Sequence, residues 1–200
     1  YDFHNLYKEL LNFCTVDLSA FYFDIRKDSL YCDPINSKKR KSTILLLNII
    51  LNSLLKWFAP ILSFTTEEIY RLLFKDSKSV HLEKFLNFPN NFENEKLYQK
   101  WLELIKIRNI CNISIEEKRA NKEIGSSLEA DLNIYLDKKL EEITKNIDFS
   151  ELCITSKAKI SFKENPETSA QTTKANGTKC TLCWKISENA CDRTHCPKKT

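Results

Sequence analysis

Four of the chain's eight cysteines fall within its last 21 residues, at Cys180, Cys183, Cys191 and Cys196. Cys180-Thr-Leu-Cys183 has a two-residue gap, which lets both thiolates of a tight turn face one ion. Soft sulfur suits zinc, and four thiolates complete its tetrahedron. Such a closed site is structural, because no position remains for a reacting water. A segment of about 20 residues has no core of its own, so the metal would supply its folding energy. The second half is less regular. It runs Cys191-Asp-Arg-Thr-His195-Cys196, so His195 competes with Cys196 as the fourth ligand. The other four cysteines, Cys14, Cys32, Cys111 and Cys153, are far apart and read as small buried hydrophobes. A clustered set beside lone thiols points to a metal in a reducing compartment, not to a disulfide frame.

Positive charge surrounds the cluster. Lys179, Lys185, Arg193, Lys198 and Lys199 oppose Glu188 and Asp192, and Trp184 directly follows the second cysteine. An aromatic among cations can stack on a base while Lys and Arg hold phosphates; equally, it can cover the metal cluster or dock the knuckle on the body. The run Lys38-Lys39-Arg40-Lys41 and the pair Arg119 and Lys122 are further candidate phosphate contacts, against the plainer reading of a solvated helix face. Catalytic signals are missing. With only Gly125 and Gly177, no glycine-rich phosphate loop is available, and His4 and His81 have no evident nucleophile partner. Taken alone, the chain reads as a binding module.

The elements that must position these residues are mostly helical. The composition, 42% hydrophobic and 29% charged with a net charge of +4, is that of a globular protein and does not by itself call for nucleic acid. Phe3, Leu6, Tyr7, Leu10, Leu11 and Cys14 recur at helical spacing behind Asp2, a ready N-cap. A second stripe, Val16 to Ile25, follows Thr15, and Asp33-Pro34 breaks the chain. A helix from Ile44 to about Phe58 stops or kinks at Pro60. Its greasy stretch is interrupted by Lys56 and three polar residues, so it does not read as a membrane span. Thr65-Thr66-Glu67-Glu68 is a capping-box pattern. Residues 76–95 read as a connection. A long helix from about Lys96 to Lys122, with Trp101, Leu104, Ile105, Arg108 and Cys111 on one side, ends at Gly125-Ser126-Ser127. The period then switches to two. Leu128, Ala130, Leu132, Ile134 and Leu136 alternate as in a strand with one buried face. A short helix over 138–147 and strands at 152–155 and 157–162 would complete a small α+β unit.

The expected architecture is therefore mainly α: a helical bundle over 1–125, an α+β unit over 126–162, a polar flexible linker over 163–178 and a zinc knuckle over 179–200. The chain has no Met, so it is expected to be a piece of a longer protein.

These motifs resemble one family. Tyr1-Asp2-Phe3-His4 and Phe21-Tyr22-Phe23-Asp24-Ile25, with Lys27-Asp28 and Leu30-Tyr31, are similar to the start of the anticodon-binding domain of bacterial isoleucyl-tRNA synthetases. Trp57-Phe58-Ala59-Pro60-Ile61-Leu62-Ser63-Phe64-Thr65 with Glu67-Glu68 resembles a signature in the same bundle. Arg119 to Ala130 is similar to the stretch leading into that family's junction region. Cys180-Thr-Leu-Cys183-Trp184-Lys185 resembles a zinc finger that the family shares with formamidopyrimidine-type DNA glycosylases. The resemblance covers essentially the whole chain. One departure is the four-residue gap between Cys191 and Cys196, where the family usually has two.

The resemblance implies a cytoplasmic, monomeric ligase that attaches isoleucine to tRNA(Ile) with ATP, the ATP belonging to a catalytic domain outside this chain. This segment would hold the anticodon arm, with one structural zinc on Cys180, Cys183, Cys191 and Cys196. Trp184, Lys185, Arg193, Lys38, Lys39, Arg40, Arg119 and Lys122 would be its candidate tRNA contacts. The alternative is a stand-alone zinc-ribbon nucleic-acid binder or a glycosylase-like module.

Overall fold

A computed structural model describes residues 2–75, 78–164, 167–189 and 191. The chain divides into two compact units, 1–92 and 93–200.

The first unit is helical. α1 (Phe3–Asn12) begins at Asp2, whose carboxylate accepts the Asn5 N–H at 3.1 Å. The sequence shows two helical stripes, one up to Cys14 and a second following Thr15. In the structure α1 runs on through a π-helical stretch, Phe13–Phe23, into α2 (Asp24–Cys32). The Thr15 hydroxyl bonds back to the Leu11 carbonyl at 2.8 Å, so it is satisfied within the helix and caps nothing. Asp33 is extended, as the residue before a proline prefers, and the chain turns at Pro34.

α3 (Lys38–Phe58) starts at Ser37, whose hydroxyl accepts the Arg40 N–H. It stops before Pro60. α4 (Ser63–Leu73) then begins without a side-chain cap. The expected capping box is not formed. Thr66 bonds back to the Leu62 carbonyl at 3.0 Å, and Glu67 reaches forward to the 3-10 turn Val80–Leu82. There it accepts the Ser79 hydroxyl at 2.8 Å and the Val80 N–H at 2.9 Å. Leu55, Ala59, Tyr70 and Val80 form the buried cluster beneath that clasp. No helix among the described residues is long and apolar enough to cross a membrane.

The second unit is α+β. α5 (Glu95–Ala120) opens on Asn94, whose side chain accepts the Leu97 N–H. Its buried seam is Leu104, Ile107, Cys111 and Ile115, turned from the stripe expected from sequence. Arg108 lies beside the seam and donates to the Leu152 carbonyl at 2.9 Å. The helix ends earlier than Gly125. Lys122 takes the left-handed conformation (φ 58), its N–H bonds to the Arg119 carbonyl, and the Glu123 N–H bonds to the Lys118 carbonyl. That pair of bonds usually favours glycine at this position. Here the Lys118 side chain clamps the Glu123 carboxylate at 2.9 Å.

β1 (Ala130–Asp137) is the central strand of a three-stranded sheet, parallel to β2 (Lys157–Lys163) and antiparallel to β3 (Ser169–Lys174). The parallel connection carries α6 (Glu141–Thr144) and α7 (Phe149–Leu152). The strict alternation along β1 appears as alternating burial, with Ala130, Leu132, Ile134 and Leu136 at 1% exposure or less. Two expectations fail here. Residues 152–155 are no strand: they close α7, with Ile154 left-handed (φ 56) and the Thr155 N–H on the Ser150 carbonyl. Residues 169–174, expected as flexible linker, are β3. That strand contributes little apolar surface and is held by its ladder with β1. The Thr172 hydroxyl, 1% exposed, meets Ser114 of α5 at 2.8 Å. Backbone pairing with a preformed neighbour replaces the hydrophobic signal that the segment lacks.

Candidate metal knuckle and nucleic-acid interface

Gly177 leads into a small hairpin, β4 (Thr178–Lys179) and β5 (Ile186–Ser187). Between these strands the Cys180 N–H bonds to the Lys185 carbonyl at 2.9 Å and the Trp184 N–H to the Cys180 carbonyl at 3.0 Å. The loop is tight enough that Trp184 is left-handed (φ 61). It turns Cys180 and Cys183 inward, 5% and 7% exposed, and brings both to Cys191. The three sulfur atoms lie within 4.8 Å of one another. Thiolates on one zinc at about 2.3 Å stand about 3.8 Å apart along the tetrahedral edges, so the donors present fit the ion in type and spacing. His195, Cys196 and Arg193 lie outside the described residues.

The knuckle is fixed to the α+β unit by contacts the sequence did not announce. The Ser156 hydroxyl accepts the Ile186 N–H at 2.6 Å and donates to the Leu128 carbonyl at 2.5 Å. Glu129 accepts the Gly125 N–H at 3.0 Å and holds Lys179 at 3.2 Å. Those contacts keep its carboxyl below the usual range, the Gly125 N–H contributing most and Lys179 next. Gly177 (φ 124) passes so close to Ser187 that an added Cβ would sit 2.3 Å from its backbone carbonyl. A glycine three residues before a Cys-x-x-Cys pair was the one sequence clue to this packing.

Of the candidate RNA contacts, Trp184 is 60% exposed, with most of its surface open to solvent. Lys185 turns toward the body, with its Nζ 3.5 Å from the Ser150 hydroxyl. Arg119 pairs with Glu116 at 2.6 Å, and both line one shallow depression with Lys122 and Gly125. In the first unit Lys38 and Lys39 are exposed, whereas Arg40 donates to the Asp33 carbonyl at 2.8 Å and closes the turn before α3. Arg40 therefore has a structural task.

Residues 1–135 match the family model described as the anticodon-binding domain of tRNA ligase. The chain belongs to that family. The matched residues take in the whole first unit, α5 and most of β1. The chain is also similar to named relatives over nearly its full length. It is 66% identical over 193 residues to the isoleucine–tRNA ligase of Pelagibacter ubique (strain HTCC1062), covering 96% of this chain and 21% of the relative. It is 39% identical over 200 residues to that of Bartonella henselae, covering 94% and 21%. The isoleucine–tRNA ligase of Agrobacterium fabrum is 37% identical over 197 residues, covering 93% and 20%. The chain thus spans about a fifth of the length of these curated relatives.

Proposed function

We propose that this anticodon-binding chain is the tRNA-holding end of an isoleucine–tRNA ligase acting on tRNA(Ile) in the cytoplasm as a monomer. The observation that carries the reading is the cluster of three thiols within 4.8 Å, beside an exposed Trp184, in a chain 66% identical to such a ligase. The match of residues 1–135 to an anticodon-binding domain speaks against the stand-alone zinc-ribbon or glycosylase-like alternative.

In this proposal Cys180, Cys183, Cys191 and Cys196 hold one zinc, which supplies fold, not chemistry. Trp184 stacks on an unpaired base, while Lys38, Lys39, Arg119, Lys122, Lys185 and Arg193 lie near phosphates. Arg40 acts by ordering the turn that presents Lys38 and Lys39. ATP and isoleucine are handled by the catalytic domain of the complete protein.

The test is Cys180→Ser in the complete enzyme. The zinc content should fall below that of the wild type and tRNA charging should weaken, while isoleucine-dependent ATP–pyrophosphate exchange survives. Unchanged charging by zinc-free protein overturns the proposal.

A further inference from the structure

The sheet has a second face that this function does not use. Ala130, Leu132, Ile134 and Leu136 point to the buried side, so the alternate residues of each strand share the other. On β2 these are Lys157, Lys159, Ser161 and Lys163; opposite them on β1 stand Asp131, Asn133, Tyr135 and Asp137. On β3 they are Ser169, Gln171 and Thr173, paired with Tyr135, Asn133 and Asp131. The edge-strand members Lys159, Ser161, Lys163, Ser169, Gln171 and Thr173 are solvent-facing.

This face has one aromatic ring at its centre, neighbouring amides and a row of cations along one edge. Lys163 lies over the Tyr135 ring, with its Nζ 5.0 Å from the centroid. Among the described residues none of the three lysines is in an ion pair, although Asp131 and Asp137 stand opposite Lys157 and Lys163. Lys157 and Lys159 are two residues apart on an extended strand, about 6.6 Å along it. Past the far end, Lys138 and Lys139 continue the row beside Asp137 and Glu164. At the near end Lys157 directly follows Ser156, which binds β5 of the knuckle. The row therefore begins where the knuckle docks.

We infer that this face binds unpaired RNA, its backbone phosphates along Lys157, Lys159 and Lys163 and a base against Tyr135 with Asn133 and Gln171 at the base edge. Lysines spaced along an edge suit a polyanion, and an aromatic flanked by amides suits an unstacked base. The inference rests on the proposal that this chain holds tRNA.

The test is tRNA binding by the complete enzyme over a salt series. The Lys157→Gln/Lys159→Gln/Lys163→Gln variant should bind about tenfold or more weakly at low salt, and its slope of log affinity against log salt should shallow by about 2. The corresponding triple Arg variant should keep the wild-type slope. Zinc content and isoleucine-dependent ATP–pyrophosphate exchange should stay unchanged in both, which separates lost contacts from misfolding. In wild-type enzyme, tRNA should also shield Lys159 and Lys163 from an amine-reactive label. Equal slopes for the Gln variant and wild type overturn the inference, as do lysines already shielded without RNA. Wild-type enzyme that fails to bind tRNA would instead overturn the proposed function.

Discussion

The Ser156 hydroxyl joins two chain segments, one 28 residues before it and one 30 residues after it. It accepts the Ile186 N–H at 2.6 Å and donates to the Leu128 carbonyl at 2.5 Å. One small side chain thus ties the second strand of the knuckle to the entry of the central sheet strand. Ser156→Ala would leave the Ile186 N–H without its partner where the ribbon packs, a loss of about 1–3 kcal/mol. Hydrogen exchange should speed up at Ile186, and zinc should pass to a chelator faster. Wild-type protection at Ile186 would show that the knuckle is held elsewhere.

Gly177→Ala should act on the same hairpin from its other strand. The new Cβ would stand 2.3 Å from the Ser187 backbone and 2.6 Å from the Glu188 nitrogen, on a backbone at φ 124 that L-residues avoid. The expected cost exceeds about 1 kcal/mol. Zinc affinity of the complete enzyme, measured by chelator competition, should fall while thermal unfolding of the helical part is unchanged.

Acid should open the clasp of the first unit. The Ser79 hydroxyl, then Arg71 and the Val80 N–H, hold the Glu67 carboxyl below its ordinary value, against an opposing effect of burial. A lowered folded value means the stabilisation is complete above the unfolded value of about 4.3 and is lost as pH falls through the folded one. Val80 amide protection should be flat at neutral pH and drop below about pH 4. In Glu67→Gln it should be weaker throughout and lose that acid step. An acid step retained in Glu67→Gln assigns the titration to another group.

The fourth zinc ligand is open to direct assay. Cys196→Ser should lower the zinc content of the complete enzyme and His195→Ala should leave it at one ion per chain, since a fourth thiolate completes a set of sulfur donors. The reverse result makes His195 the ligand.

Much of this could be read in the sequence where local pattern and packing agree. Asp2 caps its helix, as a short polar side chain at a helix start leads one to expect; Ser37 and Asn94 do the same at helix starts that the sequence pattern did not mark. Alternation marked β1 because one of its faces is fully buried. β3 escaped notice because its stability comes from a ladder to a distant strand and one hydroxyl contact, neither of which leaves a hydrophobic period. The capping box misled because Glu67 had a better site, a cluster of donors twelve and thirteen residues on.

By itself the sequence determined the helical character of the segments on either side of Asp33-Pro34, the buried face of β1 and the cysteine pair at 180 and 183. Each of these depends on residue type and short spacing, which fix local geometry. Only the tertiary structure decided that Cys191 meets that pair, that Trp184 stays exposed, that Arg40 closes a turn, and that Ser156, Glu129 and Gly177 seat the knuckle on the sheet. The Ser156 and Glu129 contacts join segments 28 to 50 residues apart and exist only after the chain has brought them together; those at Arg40, Cys191 and Gly177 are shorter in range but depend on the course of a turn, which residue spacing does not give.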